Sequence, residues 1–74
     1  MKIQYDNHAD AAYIYIADKI TNGSVKKTYS CDISETDHMI NLDFDKQGRL
    51  IGIEVLDASK CLPKELLESA EKIQ

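Results

Sequence analysis

The sequence predicts an α+β domain: an antiparallel β-meander of about five strands with one C-terminal helix packed on one face. Three observations point to that class. Apolar and polar residues alternate with period two through most of the chain as far as Leu56. Clusters of turn formers punctuate the alternation at strand-length intervals. Only after Pro63 do apolar residues recur at helical spacing. The 74 residues are expected to form a single domain, 1–74. A domain of about this size buries only roughly 60% of its unfolded surface, so a thin core is expected.

The first strand is placed at about 2–5. Asp6-Asn7-His8-Ala9-Asp10 then carries turn formers, and Asp6 or Asn7 is suited to an Asx-turn. The second strand, about 11–17, reads Ala-Ala-Tyr-Ile-Tyr-Ile-Ala, with Ala12, Ile14 and Ile16 on one face and Tyr13 and Tyr15 on the other. A strand apolar on both sides is usually central or covered on both faces. Thr21-Asn22-Gly23-Ser24 makes a turn, and Val25 to Cys31 alternates as a third strand at about 25–31. A polar, acidic connection over Asp32 to His38 leads to the fourth strand, about 39–44, where Ile40, Leu42 and Phe44 share a face. Asp45-Lys46-Gln47-Gly48 fits a hairpin turn with glycine at the position needing positive φ. The return strand, about 49–56, sets Ile51, Ile53 and Val55 inward and Leu50, Gly52, Glu54 and Leu56 opposite. Pro63 suits the first turn of a helix at about 63–73, with Leu62, Leu66, Leu67, Ala70 and Ile73 inward. Glu68 and Lys72 stand at i,i+4 on its wet side.

Nine basic against thirteen acidic residues leave a net charge of −4. That argues against nucleic acid as the main partner, because phosphate binding needs a concentrated basic patch. It equally disfavours a polybasic membrane surface. No apolar run resembles a signal peptide, and the mostly apolar stretch Ala9 to Ala17 is too short to cross a bilayer. Cys31 and Cys61 are separated by thirty positions with no CxxC pattern. Two reduced thiols in a cytoplasmic protein are expected.

A helix of about eleven residues spans roughly 16 Å, against a five-stranded sheet about 20 Å wide. It covers one face and leaves the other open. The uncovered side is then expected to carry Tyr13, Tyr15, Leu50 and Leu56 as a patch. Self-association through that face, or through a free sheet edge, follows as the expectation.

No phosphate-binding glycine loop, GxSxG elbow or HExxH pattern is present, and no catalytic residue or cofactor is assigned. Asp6, His8 and Asp10 crowd one loop and are the weak candidates for metal ligands, against turn capping for the two carboxylates. Glu54 sits mid-strand, where a lone carboxylate needs a partner; Tyr13, Tyr15 or a second subunit are the donors considered. Asp32, Glu35, Asp37, Asp43 and Asp45 form a run without Lys or Arg, either a solvated edge or a surface steering a basic protein.

Tyr5-Asp6-Asn7-His8-Ala9-Asp10-Ala11-Ala12-Tyr13-Ile14 looks like the pattern YDxxADAxYI, and Asp45 through Gly48 with Gly52-Ile53-Glu54-Val55-Leu56-Asp57-Ala58-Ser59 looks like DxxG followed by GIExLDAS. Together they resemble the small bacterial and archaeal proteins of the domain-of-unknown-function family numbered 2283. Ala12 departs from that pattern, which more often has Leu there, and thins the core. The resemblance implies a small stand-alone domain and supplies no catalytic residue. Asp6, Asp10, Tyr13, Tyr15, Glu54 and Asp57 are accordingly the candidate ligand or interface positions, with Tyr5 among the motif residues. The leading expectation is a non-enzymatic interaction or regulatory module acting as a homodimer. The alternative is an enzyme or ligand-binding protein with a site near Glu54, Asp10 and Tyr13.

Overall fold

The computed structural model describes residues 1–33 and 38–73. The elements are β1 (Lys2–Asp6), β2 (Ala11–Tyr15), β3 (Lys27–Ile33), β4 (His38–Phe44), β5 (Leu50–Leu56), α1 (Ala58–Cys61), α2 (Lys64–Ser69) and β6 (Glu71–Lys72). They form one six-stranded sheet in the order β3-β4-β5-β2-β1-β6. Pairing is antiparallel except between β1 and β6. The class is α+β, but the sheet is not a five-strand meander. A β1–β2 hairpin is joined to a β3–β4–β5 meander by pairing of β2 with β5. β2 is apolar on both sides, and it takes a central place between β5 and β1.

Local chemistry sets the turns. The Asp6 carboxylate accepts the amides of His8 (3.0 Å) and Ala9 (3.3 Å), closing the expected Asx-turn. At the β4–β5 hairpin Gly48 has φ 79°, and Asp45 Oδ1 accepts the amides of Gln47 and Arg49 while Oδ2 takes Arg49 Nε at 2.9 Å. These bonds hold the Asp45 carboxyl below the usual carboxylate range, the Arg49 amide contributing most. β2 stops at Tyr15, two residues short of expectation, because the amides of Ile16 and Ala17 both turn onto the Ile51 carbonyl, each at 3.0 Å.

The C-terminal segment differs most from expectation. In place of one helix over 63–73 there are two short helices and an extended tail. The chain leaves helical geometry at Ala70 (φ −70°, ψ 154°), and Glu71–Lys72 pairs with Gln4–Tyr5 of β1. Two causes act together. Six helical residues are too few to be stable alone, and the free edge of β1 supplies hydrogen bonds to the tail, including Ile73 N–H to the Tyr5 carbonyl at 3.0 Å. Lys72 donates to the carbonyls of Leu67, Glu68 and Ala70 at 2.8, 3.0 and 2.9 Å, a cation on a helix C-terminus. Lys72 therefore does not pair with Glu68 as expected; Lys64 approaches Glu68 instead, at 3.9 Å.

The register places Ile3, Tyr5, Ala12, Ile14, Ile51, Ile53, Val55, Ile40 and Leu42 on one face of the sheet. Ala12, Val55, Ala58 and Leu67 form its buried centre, with Tyr5, Ile53, Cys61 and Leu62 packed around them. Ala12 and Ala58, 2% and 0% exposed, are small enough for α1 to lie close on the sheet. The core is thin, as expected: among the described residues no large side chain is fully buried. α1 packs against β4 and β5 and, with Leu67 of α2, covers the centre at Ala12 and Val55, while at the β3 end of the same face Tyr29 is 58% exposed.

Candidate functional site

Two clusters gather the candidate residues. The first closes the β1–β2 turn onto α1. Asp10 adopts left-handed backbone (φ 52°), and Asp57, just before α1, does the same (φ 53°); aspartate tolerates this region better than most residues. The Asp10 carbonyl accepts the Ala58 amide at 2.9 Å. Its carboxylate takes the Ser59 amide (2.9 Å) and the Tyr5 hydroxyl (2.7 Å) on Oδ1, and the Ser59 hydroxyl (2.7 Å) on Oδ2. The Tyr5 bond, then the Ser59 hydroxyl, holds the Asp10 carboxyl below its ordinary value, while the same bond raises the Tyr5 phenol. With both carboxylate oxygens engaged, Asp10 acts as a clasp between two parts of the chain.

The second cluster is a polar ladder on the sheet face opposite the helices. The Tyr13 hydroxyl donates to Asp43 Oδ2 at 2.6 Å, and Thr28 donates to Asp43 Oδ1 at 2.7 Å. Asn41 Nδ2 donates to Glu54 Oε1 at 2.9 Å, and Ser30 donates to Asn41 Oδ1 at 2.8 Å. Tyr15 donates to Gln4 Oε1 at 2.9 Å, with Lys2 over its ring at 4.9 Å. The rings of Tyr13 and Tyr15 meet edge to face, centroids 4.9 Å apart. Tyr13 reaches β4 from β2 by arching across β5, which Gly52 permits: a Cβ there would collide with the Tyr13 hydroxyl and ring. Burial, followed by the bond to Asp43, pushes the Tyr13 phenol well above the ordinary tyrosine value.

The candidate positions thus divide. Tyr13, Tyr15 and Glu54 come together on the open face, Tyr13 directly opposite Glu54 in register. Asp10 and Asp57 belong to the clasp, and Asp6 to the neighbouring turn with the exposed His8. Among the described residues no three His, Cys, Asp or Glu side chains converge as a metal-holding group. Leu50 and Leu56 are half-buried, and the phenol oxygens of the open face are hydrogen-bonded, so the face is a polar ladder with an aromatic pair. Its other members Asn41, Gln4, Thr28 and Ser30 carry no sequence signal of a site and Asp43 only that of the acidic run, although alternation along 39–44 turns Asn41 and Asp43 away from the core.

Residues 2–59 match the family described as "Protein of unknown function (DUF2283)". The chain belongs to that family. No curated protein and no solved structure matches the chain. Both clusters lie within the DUF2283 match, since Ser59 closes the clasp and Asp43, Gly52 and Glu54 belong to the ladder. The quoted patterns acquire physical content here: tyrosine and aspartate of the first meet serine of the second, and Tyr13 of the first lies over Gly52 of the second. α2 and β6 follow the match.

Proposed function

We propose that this DUF2283 protein is a non-enzymatic interaction module that acts as a homodimer joined along β3. The observation that carries the reading is the asymmetry of the sheet's two edges. One ends in the two-residue β6, too short to template another strand. The other is the seven-residue β3, whose Lys27 to Ser30 stretch is exposed and contains no proline. Such an edge offers unpaired backbone groups to a further strand.

A second copy fits it. β3 has Lys27 at one end and Asp32 at the other. Antiparallel pairing about a two-fold axis sets each Lys27 end beside the partner's Asp32 end, though the two side chains lie on opposite faces of the sheet and form no cross-strand pair. An axis normal to the sheet also brings together the two exposed Tyr29 rings at the β3 end of the apolar face, extending a core that one chain leaves thin. Free Cys31 and Cys61 suit a reducing, cytoplasmic setting, and among the described residues no helix is long and apolar enough to cross a membrane. A basic protein is the natural further partner of a chain with net charge −4. However, Asp43 and Asp45 are engaged within the fold, and Glu35 and Asp37 lie outside the described residues.

Sedimentation velocity across a concentration series tests the homodimer. The native chain is expected to sediment as a dimer and Tyr29→Lys as a folded monomer. A native monomer at all concentrations, or an unchanged dimer in the variant, would contradict the reading.

A further inference from the structure

We propose that the groove between the end of β2 and the β4–β5 turn binds a small phosphate-bearing molecule with an apolar body. Although the chain is acidic overall, four of its nine basic residues, Lys19, Lys26, Lys46 and Arg49, line this one groove. They come from two stretches of chain, the β2–β3 connection and the β4–β5 turn, so their convergence is produced by the fold. The lining contains one carboxylate, Asp45, and both its oxygens are occupied by Arg49 and the turn amides. Among the described residues no carboxylate lies within ion-pair distance of Lys19, Lys26 or Lys46.

Shape and donor geometry narrow the ligand class. The groove encloses about 630 Å³, within the range of small-molecule sites, roughly 300–1,000 Å³. Ile16, Leu50 and Ile51 supply apolar lining, and Ile16 is 42% exposed there. Arg49 is already oriented, its Nε on Asp45 and one terminal nitrogen on Gln47 Oε1 at 2.9 Å, leaving its other guanidinium donors to the groove. A pre-set guanidinium with three mobile ammonium groups suits a dianion better than a single carboxylate. Long polyanions are disfavoured because the basic groups occupy one end of a molecule with net charge −4. The groove does not depend on the proposed pairing along β3.

Amide chemical-shift titration of the full chain with phenyl phosphate, inorganic phosphate and a short single-stranded oligonucleotide tests the assignment. Phenyl phosphate is expected to shift amides around Ile16–Lys26 and Asp45–Ile51. Its affinity should exceed that of inorganic phosphate about tenfold and fall steeply with added salt. Lys19→Gln/Lys46→Gln, two exposed changes outside the turn's hydrogen bonds, should weaken binding at least tenfold with the remaining spectrum intact. Shifts scattered over the surface, or equal affinity in the double variant, would overturn the site. Tighter binding of the oligonucleotide through the same residues would overturn the small-molecule class.

Discussion

Asp10 is the residue on which most of the local order converges, since one side chain joins β1, the β1–β2 turn and α1. Asp10→Ala is expected to lower stability by about 2–3 kcal/mol, combining lost charge-assisted hydrogen bonds with a left-handed backbone that alanine adopts less readily; urea unfolding measures it. The pH dependence has a defined sign. The folded carboxyl titrates below its unfolded counterpart, so its contribution is complete above the ordinary aspartate range and is lost as pH falls through the depressed value. Asp45 acts in the same direction. Acid unfolding of Asp10→Asn should therefore have a shallower slope than that of the native chain. At position 52, Gly52→Val should displace Tyr13 and cost about 1–3 kcal/mol. In a double-mutant cycle with Tyr13→Phe the two losses should be strongly non-additive. By ultraviolet titration the native chain should hold two phenols that ionise above the ordinary tyrosine range, Tyr5 and Tyr13, of which Tyr13→Phe removes one.

At the scale of elements, periodicity was enough for the strands and too little for their neighbours. Alternation marked five strands with small errors at their ends, and Gly48 marked its hairpin, because those signals are local. Pairing of β2 with β5 is decided by contacts distant in sequence, as is the clasp from Asp10 to Ser59, so neither sheet order nor site was legible. The C-terminal misreading has the same origin. Leu62, Leu66, Ala70 and Ile73 do recur at helical spacing, but the free edge of β1 competes for the tail and captures Glu71 and Lys72. The Lys72 ammonium then holds the end of α2 by its carbonyls. Lys72→Gln should cost about 1 kcal/mol and melt α2 locally, seen as faster amide exchange in Leu66–Ser69 with the β5 amides still protected.

As a whole molecule the chain is one twisted layer with a partial second one. Its extents of 33 × 28 × 18 Å reflect a sheet covered by helices over only part of one face. The short β6 shields one edge, the polar ladder makes the far face compatible with water, and β3 is the long edge, exposed from Lys27 to Ser30. The proposed self-pairing along β3 rests on that arrangement. Backbone hydrogen exchange of Lys27–Ile33 as a function of protein concentration tests it most directly. Protection of alternate β3 amides should rise with concentration in the native chain and stay low in Tyr29→Lys. Fast exchange of those amides at every concentration, with β5 fully protected, would contradict the account.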